Sequence, residues 1–299
     1  MKETKLIWMD GKIVPWADAK IHVLTHSLHY GSGVFEGIRF YETEDGPAIF
    51  RLQDHTVRLL HSANRINMQI PFSEDEISSA IIETVKVNEI TTGYIRPLAY
   101  FGYGKMGLRP TGAPVNLSIA VWPWDTYLGT NPIRVKTSSY MRIHPKSTSM
   151  SAKISGNYVN STFAGVDAVS QGYDEALLLD FEGNVAEGPG ENIFIVKNDT
   201  IYTPPGGNIL KGITRDSLMT VAKDLGFSVQ EKQLKVEDIY DADEAFFTGT
   251  AAEVTPIASL DDHPMKQSTG PITKKLSDTY LSIVKGKNEK YKSWLTIVS

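Results

Sequence analysis

The sequence predicts an α+β protein of two domains, and three observations carry that prediction. The chain has 299 residues, close to the length at which a single hydrophobic core stops growing and chains divide. Its first third reads as short β-like runs joined by tight turns, the pattern of hairpins. Its second half mixes strand-like runs with amphipathic helical segments in no regular order, which makes the class α+β.

Element by element, Lys5 to Met9, the Asp10-Gly11 turn and Lys12 to Trp16 form the first predicted hairpin. Gly37 to Thr43 and Ala48 to Leu52, around Glu44-Asp45-Gly46, form a second. Asp54 is placed to cap a helix through Ile66. Ser73 and Glu76 have capping-box spacing ahead of a helix whose apolar face is Ile77, Ile81, Ile82 and Val85. Strand-like runs at Tyr94 to Phe101 and Val115 to Trp122 lead into the turn-rich stretch Trp124 to Pro132, which fits an interdomain connection. This sets a small N-terminal domain over 1–124, a linking loop over 125–133 and a large C-terminal domain over 134–299. Within the last, strands are expected at Ile133 to Ser138, Glu175 to Asp180, Glu191 to Lys197 and Glu244 to Thr248. Helices are expected near Asn157 to Gln171, Arg215 to Leu225 and Ile272 to Val284.

Composition narrows the function classes. With 41% hydrophobic, 22% charged and 10% aromatic residues the chain is an ordinary globular one. A net charge of -5 gives no electrostatic reason to bind nucleic acid or an acidic membrane surface. The absence of cysteine removes disulfides, thiolate nucleophiles and sulfur-ligated metal centres. No apolar run approaches the ~20 residues of a membrane span, and the N-terminus lacks a signal peptide's apolar stretch, so the expected location is cytoplasmic.

Two tempting motifs fail on context. Gly102-Tyr103-Gly104-Lys105-Met106-Gly107 has dinucleotide-fingerprint spacing. It is followed by Leu-Arg-Pro-Thr-Gly-Ala-Pro, which cannot continue as the helix such a site needs. His22, His26 and His29 have helical spacing, but no carboxylate motif completes a ligand set, so no metal is expected.

Three segments carry chemistry together: Ser151-Ala152-Lys153-Ile154-Ser155-Gly156-Asn157-Tyr158, Ala186-Glu187-Gly188-Pro189-Gly190-Glu191-Asn192, and Leu210-Lys211-Gly212-Ile213-Thr214-Arg215-Asp216. Lys153 lies among small residues in a stretch poor in charge, as expected for a partly desolvated amine of lowered pKa. Taken alone it is a surface lysine; the neighbouring motifs change that reading. Thr214 is placed to cap the following helix, with the amides around Gly212 to Thr214 able to cradle a phosphate. Thr248-Gly249-Thr250-Ala251-Ala252, after a strand, offers a second set of hydroxyls and amides.

At these residues the chain resembles the branched-chain amino acid aminotransferases, members of fold-type IV of the pyridoxal phosphate enzymes. The resemblance runs over nearly the whole chain. It adds His29-Tyr30-Gly31, Val34-Phe35-Glu36-Gly37-Ile38-Arg39, Tyr94-Ile95-Arg96-Pro97, Gly107-Leu108-Arg109-Pro110, Trp124 with Tyr127-Leu128-Gly129, and Phe247 to Glu253.

The resemblance implies pyridoxal 5'-phosphate as cofactor and Lys153, in the C-terminal domain, as its Schiff-base lysine. Glu187 would keep the pyridine nitrogen protonated and Tyr158 would bond the phenolic oxygen. Arg58, Gly212, Ile213, Thr214 and Thr250 would hold phosphate, and Leu210 would pack on the ring. For the substrate it implies an apolar pocket from Phe35 and Tyr127, completed across a homodimer interface by Tyr30 and Leu108. Tyr94 and the amides near Thr250 and Ala251 would take the α-carboxylate, and Arg96 the distal carboxylate of glutamate or 2-oxoglutarate. The implied reaction is ping-pong exchange of the amino group of leucine, isoleucine or valine, at the end of their synthesis or the start of their breakdown. Within the fold, a D-amino acid aminotransferase and aminodeoxychorismate lyase are the rivals, and Tyr94 to Pro97 with Phe35 to Arg39 favours the branched-chain enzymes. A catalytically silent binding protein is the rival of another class; every expected catalytic position is filled.

Overall fold

A computed structural model describes residues 2–124, 127–129 and 131–298. In chain order the first elements are β1 (Leu6–Met9), β2 (Lys12–Pro15), α1 (His26–Tyr30), β3 (Gly33–Phe35), β4 (Ile38–Thr43), β5 (Gly46–Phe50), α2 (Leu52–Arg65), α3 (Glu74–Val87), β6 (Gly93–Phe101) and β7 (Val115–Trp122). There follow β8 (Ile133–Thr137), α4 (Tyr158–Ser170), β9 (Glu175–Leu179), β10 (Val185–Glu187), β11 (Asn192–Lys197), β12 (Thr200–Thr203), α5 (Ile213–Asp224), β13 (Ser228–Glu231) and α6 (Val236–Tyr240). The last are β14 (Glu244–Gly249), β15 (Glu253–Leu260), β16 (His263–Pro264), α7 (Pro271–Val284) and β17 (Leu295–Ile297). The class is α+β, as expected.

Two compact units divide the chain, and the division differs from the expected one. Unit 1 is Met1–Asp125 with Ala152–Gly156 and Ser282–Ser299; unit 2 is Thr126–Ser151 with Asn157–Leu281. Lys153 therefore belongs by its contacts to the N-terminal unit, not to the C-terminal one expected to carry it. Of the expected linker, residues 125, 126 and 130 lie outside the described residues, and Ile133 already opens β8.

Unit 1 is built on an antiparallel sheet in the order β17-β5-β4-β6-β7-β1-β2, with β3 also paired to β6. The Asp10-Gly11 turn has positive φ at both residues (48° and 90°), the conformation a two-residue hairpin needs. Ser73 and Glu76 form the expected capping box at the start of α3. Ile77, Ile81 and Val85, one helical face, then bury against Phe40, Ile95, Leu117, Ile119 and Val121 of the sheet. Full burial of each such side chain contributes about 1.5–3 kcal/mol. Helix α2 starts earlier than its sequence suggests. Its N-cap is Arg51, in the left-handed conformation, and Asp54 sits inside the first turn, where its carboxylate pairs with Arg51 at 2.5 Å. Asp54 thus complements the helix dipole without being the cap.

Unit 2 is built on a mixed sheet in the order β10-β9-β8-β15-β14-β11-β12-β13, with β16 on β15. β8 runs parallel to β9 and β15, and β12 parallel to β13. Val135, Leu177, Ile193, Ile195, Phe247 and Ile257 form its main core. Ala164 and Ala168 of α4 pack on Ala176 and Leu178 of β9. A 3-10 turn over Ser155–Asn157 precedes α4, so the helix begins at Tyr158 rather than Asn157.

Candidate active site

Lys153 is held by its backbone. Its N–H donates to Ser62 Oγ of α2 at 2.9 Å, its carbonyl accepts from Phe35 N at 3.1 Å, and Ile154 bridges Val34 of β3. Ser62 in turn donates to Arg58 O at 2.8 Å, so the lysine and the helix turn bearing Arg58 are fixed as one piece. The Lys153 amine lies 4.8 Å from the Phe35 ring centre. Burial pushes it down to about 8, and the Arg58 guanidinium pushes the same way, while Glu36 opposes them.

Beside it lies a cluster that the sequence does not single out. Glu36, fully buried at the end of β3, takes Arg58 Nε on Oε1 at 2.7 Å and Nη2 on Oε2 at 2.8 Å. It also accepts from His55 Nδ1 on Oε2 at 2.7 Å. Burial works against a charge on Glu36, but Arg58 and then His55 overcome it and hold the carboxyl far below the ordinary range. Burial pushes His55 down despite Glu36, leaving a neutral imidazole that donates through Nδ1. The forked Arg58–Glu36 contact fixes the plane of the guanidinium. Glu36 stands in the Phe35-Glu36-Gly37 motif, and that motif is the available signal.

The expected substrate residues of unit 1 form an aromatic box around a cation. Arg96 of β6 lies 4.8 Å from the Phe35 ring, 5.4 Å from Tyr94 and 6.0 Å from Trp122. Its Nε is buried with no hydrogen-bond partner among the described residues. Such an orphan is costly unless a ligand satisfies it. Trp124 closes edge-on to Tyr94 at 4.6 Å. Gly37 is required here, because a Cβ at that position would collide with the Tyr94 hydroxyl. Tyr30 and Leu108 stand out from the surface, Leu108 with 85% of its area exposed, an unusual state for a large apolar side chain.

Unit 2 carries the other half of the expected set. Glu187, at the end of β10, is buried and accepts from Arg142 Nε at 2.6 Å, Asn192 Nδ2 at 3.1 Å and Leu210 N at 3.1 Å. Asn192, first residue of β11, also donates to Leu210 O at 3.0 Å and accepts from Gly212 N at 3.2 Å. One amide side chain thereby ties the carboxylate to the segment that opens α5. Gly212, not Thr214, is the N-cap of that helix; Thr214 is buried in its first turn. Gly212 supplies no side-chain cap, and a Cβ there would strike Asn192 Oδ1, so the helix start is left to amides, as a phosphate requires. Thr250 and Ala251 lie in the turn between β14 and β15, Tyr158 opens α4, and Tyr127 is exposed. Arg142 and Asn192 are unassigned by sequence, and for Arg142 no motif signal exists.

The set-aside motifs have other uses. Gly102 to Gly107 is loop. His26 bonds Ser32 Oγ at 2.6 Å and Gly107 O at 2.8 Å, and His29 bonds Val23 O at 2.9 Å. A cleft of about 600 Å3 in unit 1, lined in part by Ile66, Phe101, Pro110 and Val115, contains none of the predicted site residues.

The chain is similar to known proteins over nearly its whole length. The family model described as amino-transferase class IV matches residues 33–260. The chain is 50% identical over 298 residues to a branched-chain-amino-acid aminotransferase of Pseudomonas aeruginosa, covering 98% of this chain and 97% of the relative. It is 40% identical to the Escherichia coli K12 protein of the same name, over 100% of this chain and 99% of that one. Among solved structures, the branched-chain aminotransferase of the thermophilic archaeon Thermoproteus uzoniensis, solved with norvaline, superposes with a TM-score of 0.96 at 45% identity, over 99% of this chain and 100% of that one. The branched-chain amino acid aminotransferase of Thermobaculum terrenum, solved in its PLP form, superposes with a TM-score of 0.94 at 37% identity over the whole of both chains.

Proposed function

The chain belongs to the amino-transferase class IV family and is a transaminase, and from that premise we propose that it exchanges the amino group of L-leucine, L-isoleucine or L-valine with 2-oxoglutarate, using pyridoxal 5'-phosphate held by Lys153. The observation that carries this reading is the lysine itself: a backbone-pinned amine whose pKa is brought down to about 8, so that roughly a tenth of it is neutral and nucleophilic at pH 7. The chain's groups fit that cofactor. They include a neutralisable amine for its carbonyl, a buried glutamate paired with an arginine for its ring nitrogen, and a helix start without a side-chain cap, with Arg58, for its phosphate.

Pyridoxal 5'-phosphate, when bound, supplies a carbonyl that takes up the amino group and a ring that delocalises the electron pair left at the substrate Cα. Lys153 would hold the cofactor through that carbonyl and, once freed by the substrate amine, would serve as the base that moves the proton at the substrate Cα. Glu187 would hold the proton on the pyridine nitrogen and Tyr158 would bond the phenolic oxygen. Arg58, Gly212, Ile213, Thr214 and Thr250 would hold phosphate, and Leu210 would cover the ring. Tyr94 with the Thr250 and Ala251 amides orients the α-carboxylate. Arg96 supports the dicarboxylate half of the cycle, because its orphaned Nε in an aromatic box is suited to an anion. Phe35 and Tyr127 face the branched side chain, with Tyr30 and Leu108 of a second copy, whose exposure supports a homodimer. A cytoplasmic place at either end of branched-chain metabolism belongs to the same reading.

A substrate panel tests it. Purified protein incubated with cofactor is expected to gain a visible absorbance band and to convert L-leucine, L-isoleucine and L-valine, with parallel double-reciprocal plots against 2-oxoglutarate. Preference for D-alanine, or normal turnover by Lys153→Ala, overturns the assignment.

A further inference from the structure

In unit 2 the residue that stands out is Arg142, which lies outside every motif and outside the functional set described so far. It is 8% exposed and Glu187 4%, so the pair they form at 2.6 Å is out of water. Its backbone N–H is anchored on Leu179 O of β9 at 2.7 Å, which fixes the side chain's point of departure. Burying two charges costs several kcal/mol per ion, and an apolar pair of similar volume commonly serves stability as well. A charge at this place therefore calls for a reason other than stability.

The hydrogen bonds supply one. Arg142 Nε, Asn192 Nδ2 and Leu210 N, three groups set against the Glu187 oxygens, are all donors. Both oxygens already accept from these donors, so the arrangement favours the carboxylate over the carboxylic acid. Asn192 and the Leu210 amide are neutral; Arg142 alone of the three brings a full positive charge. We propose that Arg142 is a positioning residue for the proton of the ring nitrogen: by holding Glu187 ionised, it makes the proton shared between that carboxylate and the pyridine nitrogen reside on the nitrogen. This rests on the reading of Glu187 as the partner of the ring nitrogen. The balance is simple. With Arg142 present the proton is on nitrogen, the ring carries +1 and Glu187 -1; without it the same proton passes to a carboxyl oxygen and both groups become neutral.

The test uses holoenzyme loaded with cofactor labelled with 15N in the ring. The ring-nitrogen signal is expected at the pyridinium position in the wild type and in Arg142→Lys, which keeps the charge. In Arg142→Gln it is expected at the neutral-pyridine position, with kcat reduced on the order of 10- to 100-fold, the range typical of removing an outer-layer partner of a reactive group. Glu187→Gln separates the two levels of inference. If it leaves the signal unmoved, Glu187 does not face the ring and the underlying reading fails. If it moves the signal while Arg142→Gln does not, the role of Arg142 is overturned and the underlying reading stands. A second measurement needs neither cofactor nor an Arg142 variant. The infrared difference between cofactor-free wild type and Glu187→Gln is expected to show an ionised carboxylate at neutral pH, and a protonated carboxyl band there overturns the proposal.

Discussion

Each unit buries a glutamate against an arginine, and the two pairs are proposed to work in opposite senses. In unit 1 the carboxylate of Glu36 is the hidden member, engaged by Arg58 through two nitrogens and by His55, and the arginine is the group proposed to meet phosphate. In unit 2 both members are buried, and the carboxylate of Glu187 is the group proposed to meet the ring nitrogen. The same chemical pair thus yields a fixed cation in one place and a fixed anion in the other. In both pairs the glutamate is the boxed-in member, Glu36 by Arg58 and His55, Glu187 by Arg142, Asn192 and a backbone amide. A pair built this way contributes little net stability, yet losing one member strands the other.

That asymmetry is open to direct attack. The largest effect is expected from Glu36→Ala, which leaves Arg58 and His55 without their shared acceptor; urea unfolding is expected to show a loss of about 3–5 kcal/mol. Next is the lysine beside that pair. Below about pH 8 both folded and unfolded chains carry a charged Lys153, and the cost of burying it is fully present. Between about 8 and 10.5 the unfolded chain holds a proton that the folded chain has released, so stability rises with pH, and above 10.5 the difference is gone. Cofactor-free Lys153→Met is accordingly expected to be more stable than wild type at pH 7, by at most about 3 kcal/mol, with the gap closing by pH 10.5 in paired melts.

A smaller change is expected at the boxed cation. Arg96→Met removes charge-assisted bonds of about 1.5–3 kcal/mol, so KM for 2-oxoglutarate should rise on the order of 10- to 100-fold. Single-turnover reaction with L-leucine should stay within a few-fold of wild type, and an equal loss in both half-reactions would count against a dicarboxylate role. Smallest is Asn192→Ala, which leaves Arg142 in place and removes a neutral tie; thermal unfolding should report about 1–2 kcal/mol, with the ring-nitrogen signal unchanged.

How much of this is legible in sequence follows from how local each feature is. The Asp10-Gly11 hairpin and the Ser73/Glu76 capping box are written within four residues and appear where expected. Lys153 and Glu187 are visible through ordered motifs. The cap of α5 differs from expectation because Gly212 and Thr214 are both acceptable at that position, and only the contact with Asn192, 20 residues away, decides for glycine. Arg142 cannot be found from sequence, since its partner lies 45 residues on and no local pattern marks it. A turn-rich stretch sets the expected domain boundary, and that signal is blind to the two later segments that return to unit 1.

The strand Leu295–Ile297 pairs with β5, Leu295 opposite Phe50. The partner of β5 is therefore made 245 residues after it (295 less 50). At ordinary elongation rates that is a wait of about 12–50 s. Through that interval β5 stands at an edge of the nascent first sheet, and the segment that brings Lys153 to it is itself only half a chain away from the start. Synthesis order and folding order are thus decoupled in this molecule. Unit 1 begins first and finishes last, so during translation the exposed edge of β5 is the point at which one chain would zip onto another.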